Sequence, residues 1–383
     1  MSDRHRHTWV EISLDGIRHN IVQFQHRKKK ECLLMAVVKA NGYGHGAVEV
    51  ARVALDAGAD YLGVAFADEA FELRSAGITA PILILGYTPP EFVPAVVLQE
   101  VTMTVFTDDV LQAASAAALQ FHKKARIHLK IDTGMSRIGV QPSDDWRELV
   151  KAAFFFPQIE LEGVFTHFAE ANGSGSAYTR HQFSTFQRVL SEVEEEGITI
   201  PIKHCCNTAG TLQFPNMHMD MVRVGVGLYG VNPCDSGIAD EVNLVETMAV
   251  KTRIAAVKWI ASGQAVGYGR QYCATQARKV ATLPIGYADG IPRKLSNTGF
   301  VVINGELAPI IGVLCMDQMM VDVTVIEAVE PGTAVTLFGG HIRSPQSQHV
   351  SVEDVAAWSK TISYEVMCGI GKRVPRVYMK YES

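Results

Sequence analysis

Lysine, aspartate, histidine, threonine and arginine side chains stand at or near the ends of short apolar runs in this chain. The first run reads Val37-Val38-Lys39-Ala40-Asn41-Gly42-Tyr43-Gly44-His45-Gly46. A lysine that finishes a buried run is costly unless it is neutralised or bonded. Lys39 therefore snorkels to solvent, pairs with a carboxylate, or uses its amine to form a Schiff base. The glycines after it allow close backbone approach to a ligand. They lack the spacing and the Gly-Lys-Ser/Thr ending of a nucleotide-cleaving P-loop. Further runs end in Lys130-Ile131-Asp132-Thr133-Gly134-Met135-Ser136-Arg137, in Thr166-His167-Phe168 and in Asn207-Thr208. Another carries Arg223-Val224-Gly225-Val226-Gly227-Leu228-Tyr229-Gly230. Each has a plain structural reading: Asp132 as a helix cap, His167 as a hydrogen-bonded core histidine, Arg223 in an ion pair. Taken together they put polar groups on one rim. Gly225, Gly227 and Gly230 match a dinucleotide fingerprint in form, but Val231-Asn232-Pro233 breaks the helix that motif needs. They suit exposed backbone N–H groups at a last strand, where barrels often hold a phosphate.

The elements that must position these residues follow a rhythm. Short apolar, β-branched runs recur at 32–40, 61–66, 81–86, 101–106, 126–132, 159–167, 202–207 and 221–230. Helix-like stretches at 46–58, 68–76, 91–99, 108–122, 143–155, 177–196 and 208–214 separate them, and 14–27 precedes the first. Near-continuous apolar strands alternating with helices indicate a parallel sheet covered on both faces. Eight units imply a closed (β/α)8 barrel of the TIM type, with the leading helix between last and first strands; a doubly wound open sheet is the rival. After about residue 240 the pattern becomes antiparallel β, with strands expected at 246–260, 265–272, 278–286, 300–303, 307–313, 319–325 and 334–338. Asn304-Gly305 between apolar runs signals a hairpin. A helix over 351–361 precedes a last strand near 374–378, and the alternating 8–13 stretch is expected as an edge strand of this domain. The charge runs at 27–30 and 192–196 read as solvated helix ends.

Composition narrows the class. At 383 residues the chain has room for a barrel and a smaller domain, and 48% hydrophobic with 20% charged residues excludes a disordered chain. The 35 basic and 40 acidic residues give a net charge of −5, which offers no whole-chain case for nucleic-acid binding. No run of 18 apolar residues exists, so no membrane span is expected. The N-terminus, Met1 to His7, is polar and no secretory signal is read there. Seven cysteines, an odd number without repeated C-x-x-C pairs, favour reduced thiols and a cytoplasmic location, and no metal site is expected.

These motifs together resemble the alanine racemases, a family of fold-type III enzymes dependent on pyridoxal 5'-phosphate. The resemblance spans nearly the whole chain. It rests on the Lys39, Lys130–Arg137 and Arg223–Gly230 motifs above, continuing through Ile138-Gly139. In the second domain it rests on Gly267-Tyr268-Gly269, Gly286-Tyr287-Ala288-Asp289-Gly290-Ile291-Pro292-Arg293, Cys315-Met316-Asp317 and Thr361-Ile362-Ser363-Tyr364-Glu365-Val366. The resemblance implies a barrel over 12–240 that binds the cofactor, and a β domain made of 1–11 and 241–383. It implies a head-to-tail homodimer in which the β domain of one subunit completes the site of the other. Lys39 would hold the cofactor and serve as one base, and Tyr268 of the partner as the second. A phenol at its reference pKa of about 10 is a poor base at neutral pH, so His167 and Arg223 are expected to assist it. The resemblance sets Arg223 against the cofactor's pyridine nitrogen; a donor-only side chain there requires an unprotonated nitrogen. Tyr43, Thr208, Gly225, Val226 and Tyr364 would hold the phosphate. Arg137 and the backbone of Met316 would face the substrate carboxylate. Lys130, which can be carbamylated in relatives, would orient Arg137. Asp317 would support the Cys315-Met316 loop, and Tyr287 and Arg293 would line the entrance with Tyr268 and Tyr364. The activity implied is interconversion of L- and D-alanine, supplying D-alanine for peptidoglycan. The alternatives are a serine or broad-specificity racemase, a decarboxylase of the same fold, and a non-enzymatic cofactor-binding protein. An arginine at position 223 argues against the decarboxylase, and the second domain against the carrier.

Overall fold

The computed structural model describes residues 6–144, 146–173, 177–234, 242–340 and 347–380. The boundary expected at 240/241 and the first five residues of the polar N-terminus lie outside them. The chain divides into two compact units. One is Ile17–Gly42 with Ala47–Val245; the other is Met1–Gly16, Tyr43–Gly46 and Glu246–Ser383. No helix among the described residues is long and apolar enough to cross a membrane.

The first unit is the expected barrel. Its strands are Leu33–Val37, Tyr61–Val64, Ile82–Ile84, Thr102–Val105, Ala125–Lys130, Ile159–Phe165, Ile202–His204 and Met221–Val224. Each pairs in parallel with its sequence neighbour from the first to the seventh, and the eighth pairs with the first. The seventh and eighth meet through Asp220 N–H to Lys203 O and Arg223 N–H to Cys206 O, both 3.0 Å. Most strand residues are buried, as the near-continuous apolar runs require. In helix Leu14–Arg27, Phe24 packs against Gly227 after the eighth strand, and Asn20 Nδ2 donates to Leu228 O at 3.1 Å. This is the expected closure between last and first strands.

The second unit holds a nine-stranded sheet in the order Ala256–Ile260, Arg278–Leu283, Met319–Asp322, Glu306–Ile311, Phe300–Ile303, Ala334–Gly339, Met248–Arg253, Thr8–Ser13, Arg376–Met379. Asn304 and Gly305 form the expected two-residue hairpin turn, with φ of 52° and 86° and Ile303 opposite Glu306. Three expectations change. Thr8–Ser13 is not an edge strand: it lies between Met248–Arg253, antiparallel, and Arg376–Met379, parallel. The run at 246–260 breaks into two strands around Ile254 and Ala255. The run at 265–272 is not a strand but a small hairpin, with Ala265 opposite Cys273 and Val266 opposite Tyr272. Its tip is the helical turn Tyr268–Arg270. Gly267 and Gly269 flank Tyr268 at φ of 74° and 69°, a region that side chains other than glycine rarely adopt, and this ends the strand. Val266 packs with Ile260, Val280 and Ile311, so the hairpin is rooted in the unit's core while its tip stands out. Helix Ser363–Gly369, absent from the sequence reading, carries Tyr364.

Candidate active site

Lys39 follows the first barrel strand and opens a tight turn, Lys39–Tyr43. From Ala40 to Gly44 the backbone is left-handed at five successive residues, with φ of 51°, 54°, 59°, 51° and 83°. Left-handed backbone costs an L-residue roughly 1–2 kcal/mol, so this turn needs outside support. Glu69 supplies it. One carboxylate oxygen accepts from Ala40 N–H at 2.6 Å and the other from Ala65 N–H at 2.6 Å. Asn41 Oδ1 accepts from Ala47 N–H at 3.0 Å and fastens the far side. Lys39 itself is half-buried.

The fifth strand ends in Lys130, which is 4% exposed and lies 4.1 Å over the Phe165 ring. Burial, then the Arg223 and Arg137 charges, hold its amine well below the usual lysine range, against a smaller pull from Asp132. Asp132 is not a helix cap. Its Oδ1 accepts from the N–H groups of Gly134, Met135 and Ser136 at 2.9–3.0 Å, which shapes the turn that presents Arg137 at the surface. The sixth strand leads to His167. Burial, then Arg223, Lys130, Arg137 and Lys39, hold its imidazole well below the ordinary histidine range. These four cations thus share one rim with His167. Thr208 opens the short helix Thr208–Gln213 after the seventh strand. Its hydroxyl oxygen accepts from Gly225 N–H at 3.0 Å, so Gly225 is engaged by Thr208 and the threonine O–H remains a donor. Val226 begins the helical turn Val226–Tyr229.

Arg223 is 3% exposed on the eighth strand. Nη1 donates to His204 Nδ1 at 2.8 Å. Nη2 donates to Thr166 O at 2.8 Å, Cys205 O at 3.0 Å and His167 Nδ1 at 3.2 Å. Arginine accepts nothing, so both histidine nitrogens facing it are lone pairs. These bonds occupy the two terminal nitrogens and leave Nε–H unspent among the described residues. Burial pushes the guanidinium down to about 10, so it stays cationic at neutral pH. A buried donor of this kind fits an unprotonated pyridine nitrogen. The positive groups gathered around His167 on the rim fit the anionic phosphate of pyridoxal 5'-phosphate and a substrate carboxylate.

In the second unit the rings of Tyr43 and Tyr364 lie 6.1 Å apart. Tyr287 N–H donates to Cys315 O at 3.1 Å and Ala288 N–H to Met316 O at 3.0 Å, so the Gly286–Gly290 turn and the Cys315–Gln318 loop are one assembly. Asp317 is held by Arg373 Nη2 at 2.5 Å, and Arg373 Nε also donates to Asp289 at 2.6 Å. Tyr268 is 73% exposed, and Met316, Tyr287 and Arg293 are exposed with it. Sequence reading missed Glu69, His128, His204, Glu162, Asp289 and Arg373. Each is a polar residue inside a run or motif that was judged by its apolar members or its end.

A (β/α)8 barrel with a second, β-rich unit, a lysine on a supported turn and a buried arginine on the last strand defines a class of two-unit barrel enzymes. The alanine racemase N-terminal domain family matches residues 12–233 and the alanine racemase C-terminal domain family residues 247–378. The chain is 47% identical over 377 residues to alanine racemase 1 of Oceanobacillus iheyensis, covering 98% of this chain and 99% of that one. It is 45% identical to the alanine racemase of Desulforamulus reducens, covering 97% and 98%. Among solved structures it is similar to the alanine racemase of Clostridium difficile 630, with a TM-score of 0.92 at 38% identity over 98% and 97% of the two chains. The alanine racemase of Bacillus anthracis, solved with bound L-Ala-P, gives a TM-score of 0.92 at 36% identity over 99% and 96%. The chain belongs to the alanine racemase family.

Proposed function

We propose that this chain interconverts L- and D-alanine with pyridoxal 5'-phosphate held at the barrel rim, and that it supplies D-alanine for peptidoglycan from the cytoplasm. The observation that carries this is Arg223: a buried, donor-only side chain held by two histidine nitrogens and two backbone carbonyls rather than by a carboxylate. When bound, the cofactor supplies an electron sink for the pair left on the α-carbon after proton loss. Lys39 would hold the cofactor through its amine, and the same amine would carry the proton on one face of the substrate. Tyr268 holds the proton on the other face. Arg223 would donate to the ring nitrogen, and a donor-only side chain there suits an unprotonated nitrogen. The hydroxyls of Thr208, Tyr43 and Tyr364 and the Gly225–Val226 backbone bind the phosphate. Arg137 and the Met316 N–H orient the substrate carboxylate. Asp317 and Cys315 shape the Met316 loop, and Tyr287 and Arg293 narrow the entrance.

Lys130 is set up to take carbon dioxide. A buried, neutral amine attacks the carbon, an N–C bond forms, and one proton leaves to solvent. The resulting carbamate sets an anion beside Arg137 and Arg223. Mass spectrometry of gently handled protein should find Lys130 heavier by one carbon dioxide; an unmodified lysine overturns this role.

The reading takes Tyr268 from the partner of a head-to-tail homodimer. Support comes from the exposed hairpin tip and from the neighbouring exposure of Tyr287, Met316 and Ile362, apolar surface that a partner would cover. Free thiols at all seven cysteines agree with a reducing compartment. The decisive experiment is borohydride reduction of the holoenzyme, peptide mapping, and a parallel assay of L-alanine racemisation. Label at Lys39 with turnover of alanine is expected. Label at another lysine, or no turnover, overturns the reading.

A further inference from the structure

A column of hydrogen bonds starts at Arg223 and passes through the interior of the barrel. Arg223 Nη1 meets His204 Nδ1 at 2.8 Å, and His204 Nε2 meets His128 Nδ1 at 2.8 Å. His128 Nε2 meets Glu162 Oε2 at 3.1 Å. The same oxygen accepts from Tyr61 Oη at 2.6 Å and Thr102 Oγ1 at 3.2 Å. Both histidines are fully buried.

The two ends fix every proton between them. Arginine only donates, so His204 Nδ1 is a lone pair and its proton sits on Nε2. That proton is donated to His128 Nδ1, which is therefore a lone pair as well. His128 then carries its proton on Nε2 and donates it to Glu162, a carboxylate that only accepts. No other assignment with neutral rings satisfies all the contacts. Burial holds both imidazoles below the ordinary histidine range, and the hydrogen bonds to His128, Tyr61 and Thr102 hold Glu162 ionised against its own desolvation. The rings are also held in place. Phe165 stacks on His204 at 4.7 Å with planes 9° apart. Gly163 lies against His128, where a Cβ would come within 2.6 Å of the imidazole. The column cannot deliver protons to the rim, because the group at its upper end is a guanidinium, which does not release one at working pH.

We propose that Glu162 is a positioning residue for Arg223, acting through His128 and His204. Its carboxylate sets the polarity of the column, so His204 presents a lone pair and never an N–H to the guanidinium. Reversed polarity would put two donors face to face and displace Arg223. The consequence for turnover rests on the reading that Arg223 meets the cofactor ring; the proton positions do not depend on it.

Neutron diffraction from deuterated holoenzyme tests the column directly. Deuterium is expected on Nε2 of His204 and His128, with none on their Nδ1 atoms or on Glu162. Deuterium on His204 Nδ1, on both nitrogens of His128, or on the Glu162 carboxyl overturns the proposal. Variants test the consequence. Glu162→Leu removes the acceptor and should lower kcat about tenfold with the alanine KM within about twofold, while shifting the visible absorption of the bound cofactor. Glu162→Gln, whose amide oxygen can meet the same three donors, should restore both readouts to within about threefold of the parent. A Glu162→Leu protein that folds and matches the parent in both readouts overturns the proposal. If Glu162→Leu does not fold, the proton positions decide alone. Parent protein that binds no cofactor or leaves alanine unchanged sinks the functional reading instead, and that failure is distinct from a misplaced proton.

Discussion

The barrel rim and the arginine–carboxylate network of the second unit handle charge in opposite ways. In the second unit Asp289, fully buried, receives Arg6 through both carboxylate oxygens at 2.5 Å and Arg373 at 2.6 Å, and Arg373 passes on to Asp317. Two cations meet two carboxylates. Gly286 N–H adds a bond to Asp289 at 3.0 Å, which ties the network to the turn that carries Tyr287. At the rim, Lys39, Lys130, Arg137 and Arg223 gather around His167, and the charged forms of Lys130, His167 and Arg223 are all disfavoured. A balanced network holds loops in place. A cluster of like charges is costly in isolation and becomes favourable when anions arrive.

The largest expected break falls on the rim. Lys39→Ala should abolish borohydride labelling and lower kcat by at least about 10³-fold, since both the tether and one proton carrier are lost. Peptide mapping and a coupled racemisation assay check it. Arg223→Lys comes next. A lysine keeps the charge but cannot reach His204, Thr166 and Cys205 with one planar fork. A fall in kcat of about 10²-fold, with a displaced cofactor absorption band, is expected. Glu69→Gln sharpens the comparison, because it changes a support rather than a rim charge. Its amide can accept only one of the two N–H groups, from Ala40 or Ala65, that the carboxylate holds. Loosening the left-handed turn should cost about tenfold in kcat and weaken cofactor retention on dialysis, with folding stability little changed. Unaltered retention and rate would mean the turn stands without Glu69.

Much of this was legible in the sequence, and the misses have physical causes. Eight β-branched runs of buried character could only be covered on both faces, and each appears as a barrel strand. Lys39 and His167 were visible because a polar group at the end of an apolar run stands out, and Arg223 because it is the one polar residue of the strand Met221–Val224. His128, Glu162 and His204 were not, because each shares its strand with other charged residues, Arg126 and Lys130, Glu160 and Lys203, and so does not stand out. Their meaning depends on barrel closure, which brings His128 and His204, 76 positions apart, within 2.8 Å. Ala265 to Tyr272 read as a strand because its apolar members do; the two glycines around Tyr268 carry the contrary signal through their dihedrals. The left-handed turn was hinted at by Gly42 and Gly44, but Ala40 and Tyr43 disfavour that region, and only tertiary support makes it stable.

The smallest expected effect separates the two units by pH. Burial pushes the Asp289 carboxyl up, and bonds from Arg6, Arg373 and Gly286 outweigh it, so its pKa lies below the ordinary carboxylate range. Glu162 in the barrel is depressed for the same kind of reason, with His128 and Tyr61 as the leading donors after desolvation. A group depressed in the folded state stabilises it above the unfolded pKa of about 4, and that contribution is lost as pH falls through the lower folded value. Stability should therefore be level near neutrality and decline on acidification below about pH 4. Asp289→Asn should cost about 1–2 kcal/mol at pH 7, because the amide keeps one acceptor and turns a donor toward an arginine. As pH falls through the parent carboxyl's own lowered pKa, that carboxyl is protonated and the two proteins should converge. Glu162→Gln should show the same convergence with a smaller gap at pH 7, since its amide oxygen still meets all three donors. Urea midpoints taken across this range measure both. A constant offset between parent and Asp289→Asn at every pH would mean that the network's contribution is packing around Arg6 and Arg373 rather than the charge they share with the carboxylate.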